Sequence, residues 1–415
     1  MTYSTHRLTG KQNARSGGAQ SYRGITVTID NRLRLLAARG VSVWQEGFTR
    51  RDLTSGELGK LVAEDGLTGA SSDLAILHAV ISGSTDYDAT IARLAQQGKD
   101  APAIVDALIV EDARAAADAL LPLWQRTNGC DGFVSVDLPN GVVHDNRACL
   151  AEAHRLWKAV DRPNFMVKIP GLSECIPAIR QCLVDGLNVN VSALSSVARY
   201  GAVVEAFLNA IETRLVRGLS VERVASVASF LVGPVDALVD QAIAERLQAP
   251  SGATSRAKLE SMTGKVGIAN ARLAYQAFNR VFSPADARWD KLAGAGAQPP
   301  RLAWVGLTMR EPGRRDVLYV EELIAPRTVA SLSATTLAGF REHGEVGGDT
   351  AAAGTNAAAR VIRELADVGI DLTYLSRQLD DDANNQIESA YRAVVADVTR
   401  KLGEFPIRRP TSRRA

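Results

Sequence analysis

The segment Asn164-Phe165-Met166-Val167-Lys168-Ile169-Pro170 is a short apolar run that contains one lysine. Amphipathic stretches that predict helices stand on both sides of it, over residues 145–159 and 173–184. A short apolar run between two helical patterns predicts a buried strand that is connected by helices to its neighbours. A strand followed by a helix is therefore the basic unit of the fold that this segment indicates.

The same alternation continues in both directions along the chain. Seven further apolar runs predict strands, over residues 41–44, 66–72, 132–137, 187–192, 224–232, 302–307 and 317–320. The other predicted helices cover residues 86–125, a segment ending at 215, a segment starting at 235, and 257–282, 329–341, 357–368 and 382–402. Eight such units favour a closed (β/α)8 TIM barrel with additional helices over an open sheet. No Gly-x-Gly-x-x-Gly motif follows the first strand, which counts against an open dinucleotide-binding sheet.

Composition and charge narrow the class of protein. The chain has 415 residues, of which 46% are hydrophobic, and its 48 basic and 46 acidic residues leave a net charge of +2. This balance does not indicate a large nucleic-acid or anionic-membrane surface. Four cysteines without a Cys-x-x-Cys pair predict free thiols in a reducing cytoplasm, with neither a disulfide framework nor a metal site.

The two ends of the chain differ from the part between them. Residues 1–22 are polar and lack the apolar core of a signal peptide. No uninterrupted apolar run approaches the ~20 residues that a membrane helix needs. Residues 406–415 form a basic tail with the pairs Arg408-Arg409 and Arg413-Arg414. We therefore predict a disordered leader over residues 1–22, one barrel domain over residues 23–405 and a solvated tail.

Polar residues stand at the carboxyl ends of six predicted strands, where a (β/α)8 barrel carries its active site. They are Glu46 after the first strand, Ser72 and Asp73 after the second, Asp137 at the third, Lys168 at the fourth, Asn190 and Ser192 at the fifth, and Ser229 at the sixth. We expect one lysine, several carboxylates and small hydroxyl or amide groups to converge on one opening.

Lys168 carries the most specific chemical prediction. An ammonium inside an apolar strand loses hydration, which lowers its pKa and makes the neutral amine available. A neutral amine attacks a ketone to form a Schiff base, whose protonated imine accepts electrons during carbon–carbon cleavage. Glu46 and Asp137 could move the protons that this chemistry requires. The alternatives are a lysine that extends to water and carboxylates that are merely solvated or ion-paired.

Asn190 and Ser192 are two residues apart and therefore point to the same side of their strand. They could hold substrate hydroxyls or a water molecule. Hydrogen bonding within the barrel interior is the alternative.

At these residues the sequence resembles the transaldolase family in its longer bacterial form, from about residue 31 to residue 398. Five segments carry most of the resemblance: residues 156–164, Val167-Lys168-Ile169-Pro170, Val189-Asn190-Val191-Ser192, Ser226-Val227-Ala228-Ser229-Phe230 and residues 318–326. Residues 265–275 and 343–345 also fit.

The resemblance implies an enzyme that moves a dihydroxyacetone unit from a ketose phosphate to an aldose phosphate in the pentose phosphate pathway, without a metal or an organic cofactor. It implies that Lys168 forms the Schiff base. It assigns the remaining catalytic and substrate-binding positions to Glu46, to Asp137 (which would position a catalytic water), to Asn190 and Ser192, and to Ser229.

Several acidic positions depart from the family pattern. Glu46 stands where the family has aspartate, and Asp137 stands where it has glutamate, so that one carboxylate arm is longer and the other shorter. Asp73 replaces an amide after the second strand and becomes a candidate substrate-binding residue.

The phosphate site that the resemblance implies is also altered. Pro234 stands at the position of the family's phosphate-binding arginine, and Gly306 stands near that of a serine after the seventh strand. A phosphate site needs donors and positive charge. Arg310 is the nearby basic residue and becomes the candidate phosphate ligand.

Three functions are consistent with this pattern. The first is a transaldolase that acts on sugar phosphates. The second is a diverged lysine-dependent aldolase or transferase that acts on a non-phosphorylated carbonyl compound in specialised metabolism. The third is a non-catalytic barrel that serves as a partner protein. We expect a monomer or homodimer whose partner is a small carbonyl substrate, with neither nucleic acid nor a membrane.

Overall fold

The central strands close into an eight-stranded parallel barrel in the computed structural model, which describes residues 20–22, 25–27, 31–138, 142–248, 253–311 and 313–404. Residues 1–19 of the predicted leader and the predicted tail lie outside these residues. A short antiparallel hairpin precedes the barrel and consists of β1 (Gln20–Tyr22) and β2 (Ile25–Val27). The prediction of a (β/α)8 TIM barrel is confirmed.

Each barrel strand pairs in parallel with the next one along the chain. The barrel strands are β3 (Val41–Glu46), β4 (Gly69–Ser71), β5 (Phe133–Asp137), β6 (Phe165–Pro170), β7 (Val189–Leu194), β8 (Ser226–Leu231), β9 (Arg301–Val305) and β10 (Thr328–Leu332). The last strand, β10, pairs with both β9 and β3 and so closes the barrel. All eight carboxyl ends therefore meet at one face.

Helices connect the strands and continue beyond the last one. They are α1 (Arg32–Ala38), α2 (Arg50–Thr54), α3 (Glu57–Lys60), a π-helical turn (Leu61–Asp65), α4 (Leu74–Gly83), α5 (Asp88–Gln96), α6 (Ala101–Arg126), α7 (Asn146–Val160), α8 (Ile176–Asp185), α9 (Val197–Val216), α10 (Gly233–Gln248), α11 (Ala253–Met262), α12 (Val266–Val281), α13 (Ala287–Gly294), α14 (Leu318–Glu322), α15 (Ala334–His343), α16 (Thr350–Ala353), α17 (Thr355–Asp367) and α18 (Leu372–Glu404). Many begin at an aspartate or serine whose side chain accepts a hydrogen bond from the first turn, as Asp100, Asp145 and Ser196 do. Among the helices that the structure describes, none combines the length and hydrophobicity that crossing a membrane requires.

The eighth strand does not lie where the sequence analysis placed it. Residues 317–320 were predicted as a strand, but Leu318–Glu322 forms helix α14. Strand β10 instead occupies Thr328–Leu332, at the start of a predicted helix over residues 329–341. A four-residue apolar run fits a buried helical turn as well as a strand, because periodicity does not separate the two at this length. Ser333 caps α15 directly after β10, so the prediction merged a strand with the helix that follows it.

One layer of apolar side chains fills the interior of the barrel. Its buried members are Trp44, Phe133, Met166, Val227, Ala303 and Val329, each from a different strand. Trp44 is the largest of them, and β4 accommodates its indole by placing Gly69 beside it. A Cβ at Gly69 would lie 2.4 Å from Trp44 Nε1, so glycine is required for this approach.

Gly69→Ala is expected to destabilise the protein by about 1–3 kcal/mol, because the added methyl overpacks a closed layer. Chemical denaturation measures the change in the free energy of unfolding. Gly201→Ala in α9 is the matched control, since a Cβ there meets no atom within 4 Å. This control is expected to be neutral or to stabilise by about 0.5–1 kcal/mol, because Gly is a poor residue in a helix interior. Equal effects of the two changes would contradict the packing argument.

The C-terminal helix α18 crosses the face formed by the carboxyl ends of the strands. Ser195, after β7, donates from Oγ to Asp380 Oδ1 of this helix at 2.5 Å. His144, before α7, lies 3.0 Å from the Asn384 side chain. Near the end of α18, Lys401 Nζ donates to the Ser84 carbonyl at 2.8 Å. These contacts hold the helix over the barrel opening.

Candidate active site

A cavity of about 220 Å³ lies at the carboxyl ends of the strands, beneath α18. Its wall includes six of the residues predicted from the sequence: Glu46, Asp73, Asp137, Lys168, Ser192 and Ser229. Asn190 and Arg310, which were also predicted, do not form part of the wall. Residues of α18 complete it, namely Ala383, Gln386, Ile387 and Ala390. The sequence predicts a helix here but carries no signal that this helix covers the opening.

Lys168 and Asp137 form a largely buried ion pair in the wall of the cavity. Lys168 Nζ lies 3.2 Å from both carboxylate oxygens of Asp137, and the two side chains are 18% and 6% exposed. Nζ also donates to the Ser72 carbonyl at 3.4 Å. The amine therefore sits among acceptors and is withdrawn from bulk water.

Acidic neighbours determine the protonation of Lys168. Burial on its own lowers the pKa of Lys168, but the carboxylates of Asp137, Glu46 and Asp73 outweigh this effect and raise the pKa above its usual value. The predicted lowering of this pKa is therefore wrong for the resting site, since that prediction weighed burial without the surrounding acids. Any nucleophilic attack by Lys168 must begin with the transfer of a proton to one of these carboxylates.

Glu46 is the acid whose protonation changes near neutral pH. It is the last residue of β3, and burial raises its pKa to about 7, although Lys168 opposes the rise. Among the described residues no side chain donates a hydrogen bond to its carboxylate, so nothing but the charge of Lys168 counteracts the effect of burial. A carboxyl group with this pKa can both donate and accept a proton at pH 7.

Asp137 is held in place by Ser72, a residue that the sequence analysis noted at a strand end but did not assign to the site. Ser72 Oγ donates to Asp137 Oδ2 at 3.1 Å, and the Asp137 backbone N–H donates to Ser72 Oγ at 3.2 Å. Burial raises the pKa of Asp137, while Lys168 and the Ser72 hydroxyl act in the opposite direction. Ser72 thus contacts both members of the central ion pair.

A β-bulge shapes the wall at Ser192. The pairing of β7 with β8 shifts register between Val191 and Leu194, and Ala193 adopts a left-handed conformation with φ of 57°. Such a conformation is costly for alanine and typically occurs where surrounding structure imposes it, often at functional sites. Ser192 Oγ is buried and has no hydrogen-bond partner among the described residues. The Nε1 of Trp44 on the same wall is also unpartnered.

Asn190 connects three strands within the barrel. Its Nδ2 donates to Ser135 Oγ at 3.0 Å, and its Oδ1 accepts from Ser229 Oγ at 2.8 Å. The side chain is buried, and its amide already has partners on both sides. Asn190 thereby orients the Ser229 hydroxyl, which does reach the cavity wall.

Asp73 serves first as the N-cap of α4. Its Oδ1 accepts hydrogen bonds from the backbone N–H groups of Ala75 at 2.8 Å and Ile76 at 3.0 Å. These bonds explain why a carboxylate is tolerated beside Glu46 and Asp137, because a helix N-terminus stabilises negative charge.

The altered phosphate positions pack against each other at the rim. Gly306 follows β9 with φ of 68°, and a Cβ there would lie 2.7 Å from Pro234 Cδ in the first turn of α10. Arg310 is exposed in the loop after β9. Among the described residues of the cavity wall, Lys168 is the one cation, facing three carboxyl groups.

The sequence of this chain is similar to one known protein family and to several individual proteins. The profile of the family described as Transaldolase/Fructose-6-phosphate aldolase matches residues 48–398. A transaldolase of Parafrankia sp. (strain EAN1pec) is 36% identical over 368 residues, which cover 89% of this chain and 97% of that protein. A transaldolase of Acidothermus cellulolyticus is 37% identical over 367 residues, covering 88% of this chain and 96% of that protein. A transaldolase of Mycobacterium tuberculosis (strain H37Rv) is 35% identical over 370 residues, covering 89% and 97%.

Proposed function

Because this chain belongs to the transaldolase/fructose-6-phosphate aldolase family, we propose that it is a Schiff-base transferase that moves a dihydroxyacetone unit from a ketose phosphate to an aldose phosphate, as a step of the pentose phosphate pathway. The observation that carries the proposal is the buried Lys168, whose Nζ lies 3.2 Å from Asp137 in a cavity that Glu46 also lines. An amine, a proton acceptor within hydrogen-bond reach and a carboxyl group with a pKa near neutrality are the groups that this reaction needs.

The first half of the reaction forms the imine. The Lys168 ammonium passes a proton to Asp137, and its free amine attacks the ketose carbonyl carbon to give a carbinolamine. Protonated Glu46 donates a proton to the carbinolamine hydroxyl, which leaves as water while the nitrogen becomes an iminium.

The second half cleaves and rebuilds a carbon–carbon bond. A carboxylate, which we assign to Glu46, accepts the proton of the hydroxyl next to the bond that breaks. The electron pair of that bond moves to the iminium, which becomes an enamine, and an aldose phosphate departs. Addition of the enamine to a second aldose phosphate and hydrolysis of the new iminium restore Lys168. The protons that the carboxyl groups exchange during imine formation and cleavage are exchanged in reverse during addition and hydrolysis.

The unpartnered donors on the wall support contacts to the substrate hydroxyls. Ser192 Oγ and Trp44 Nε1 are buried without hydrogen-bond partners among the described residues. A buried donor without a partner is unfavourable by about 1–3 kcal/mol, and a bound hydroxyl removes this penalty. Ser229 has a second hydroxyl on the same wall, which donates to Asn190 and leaves its oxygen able to accept a hydrogen bond.

Borohydride reduction in the presence of fructose 6-phosphate tests the proposal directly. We expect a stable adduct on the peptide that contains Lys168, found by mass spectrometry, together with transfer to erythrose 4-phosphate in a coupled assay. Labelling by non-phosphorylated ketoses alone would instead favour the diverged aldolase. If no ketose forms an adduct, the result would favour a non-catalytic barrel.

Arg310→Ala is expected to raise the KM for fructose 6-phosphate about tenfold or more with little change in kcat, since a charge-assisted hydrogen bond to phosphate contributes about 1.5–3 kcal/mol. The basis is the exposure of Arg310 in the loop after β9, which begins at the face where the carboxyl ends of the strands meet. Steady-state kinetics with fructose provide the control, because its KM has no phosphate contact to lose. An equal rise for both sugars would place the phosphate elsewhere.

A further inference from the structure

Four inward-pointing side chains at one height of the barrel line the active-site cavity. Adjacent strands of a (β/α)8 barrel are staggered by about one residue, so one layer takes its side chains from every second strand. The register of the strand pairs places in one such layer Ser71, Lys168, Ser229 and Ser331. We propose that Ser331 is a further substrate-binding residue, which hydrogen-bonds a hydroxyl group of the ketose. This inference rests on the proposed function.

The pairing of neighbouring strands places Ser331 across the cavity from Lys168. Ser331 pairs with Trp44 on β3. Two residues further along β3, Glu46 pairs with Ser71, so Ser71 reaches the height of Ser331 after two strands. The same step, two residues over two strands, leads from Ser71 to Lys168. Strand β10 lies four strands from β6 in either direction around the closed barrel, so Lys168 and Ser331 stand opposite each other in one layer.

The hydroxyl of Ser331 is available to a ligand. Ser331 is 3% exposed, and no group of the described residues forms a hydrogen bond with its Oγ. This Oγ is not one of the fully enclosed atoms that lack a partner, as Ser192 Oγ is, so it keeps surface that faces the cavity. Ser229, in the same layer, already donates to Asn190. Because a serine hydroxyl both donates and accepts, Ser331 can bind a sugar hydroxyl in either role.

The part of the wall around Ser331 is otherwise apolar. Strands β9 and β10, both fully described, contribute Ala303, Val305 and Ser331 to the wall, so Ser331 is their one polar side chain there. The charged residues of the wall stand on β3, β5 and β6 or directly after β4. A ketose bound to Lys168 projects into the cavity towards this apolar side, where its hydroxyls lose water. A hydroxyl that loses water without gaining a partner weakens binding, and Ser331 supplies the partner.

Borohydride trapping on the full-length protein measures this contact. The concentration of ketose that gives half-maximal labelling of the Lys168 peptide is determined for fructose 6-phosphate and for fructose. Ser331→Ala is expected to raise this concentration about five- to tenfold for both ketoses, because the lost hydrogen bond goes to a hydroxyl that the two share. The free energy of unfolding is expected to stay unchanged, since no group of the described residues pairs with the Ser331 hydroxyl.

Ser226→Ala is the matched control. It also removes an unpartnered hydroxyl from a buried strand residue, but Ser226 stands at the start of β8 and does not line the active-site cavity. This variant is expected to be labelled at the same ketose concentrations as the parent.

The outcomes separate this inference from the proposed function. Unchanged labelling of Ser331→Ala, with a parent that both ketoses label, overturns the inference and leaves the proposed function standing. The inference is also overturned if only fructose 6-phosphate is affected, if Ser226→Ala weakens labelling equally, or if Ser331→Ala loses stability together with labelling. Labelling of the parent by fructose alone contradicts a transferase of sugar phosphates, but the comparison of Ser331→Ala with the parent still decides the role of Ser331. No labelling of the parent by either ketose overturns both.

Discussion

Lys168→Arg is expected to leave the barrel folded and to reduce the turnover of fructose 6-phosphate by about 10⁴-fold or more, the scale seen when a covalent nucleophile is removed. Arginine retains a cation beside Asp137 and Glu46 but is not deprotonated at accessible pH, so it cannot attack a carbonyl. The change therefore separates the nucleophilic role of Lys168 from its electrostatic role. A coupled assay with erythrose 4-phosphate measures the first role, and the free energy of unfolding measures the second.

Lys168→Ala is expected to lose the same activity and, in addition, stability. The pKa of Lys168 is raised in the folded protein, so its contribution to stability is present below the pKa of the unfolded chain and is lost only as the pH rises through the folded value. At pH 7 the alanine variant thus loses a favourable charge and leaves Asp137 without its buried partner, a change that typically costs about 3–5 kcal/mol. Lys158→Arg, at an exposed position of α7, is the control. A reduced adduct on another lysine in the Lys168→Arg protein would contradict the assignment.

The alternation of strands and helices was sufficient to predict the barrel, since seven of its strands overlap the apolar runs. The eighth could not be located from the sequence, because the apolar run over residues 317–320 fits a strand as well as it fits the helix that it forms. Closure of the barrel requires a strand that pairs with both β9 and β3, and β10 meets that condition. This requirement belongs to the tertiary structure and leaves no periodic signal in either segment.

The candidate site was predictable in composition but not in electrostatics. The rule that carboxyl ends of strands meet at one face brought Glu46, Asp137 and Lys168 together correctly. It placed several carboxylates around one lysine but did not show that they raise the pKa of Lys168, since this effect depends on distances across the barrel. It also did not distinguish the inward-facing Asn190, which bonds Ser135 and Ser229, from Ser192, whose hydroxyl is unpartnered. A bulge in β7, invisible in the sequence, accompanies that difference.

Glu46→Gln is expected to make the protein more stable at neutral pH. The folded state raises the pKa of Glu46 from 4.5 to about 7, so between these values the folded protein binds more protons than the unfolded chain. Stability contributed by this residue therefore falls as the pH rises through that window. Glutamine is neutral throughout and avoids the loss. The gain in unfolding free energy is expected to grow from near zero at pH 4.5 to a plateau of up to about 3 kcal/mol above pH 7, at 1.36 kcal/mol per pH unit.

The same substitution is expected to lower kcat by about 10²- to 10⁴-fold, because the carbinolamine hydroxyl loses its proton donor and the substrate hydroxyl loses its base. The limb of the pH–rate profile near pH 7 should disappear along with the acid that causes it. Glu174→Gln, at an exposed position before α8, is expected to change neither quantity. Opposite effects of Glu46→Gln on stability and turnover have one common cause, a carboxylate kept in a poorly solvated position for its chemistry. If denaturation curves of the variant and the parent kept the same pH dependence, the raised pKa of Glu46, and with it this explanation, would be excluded.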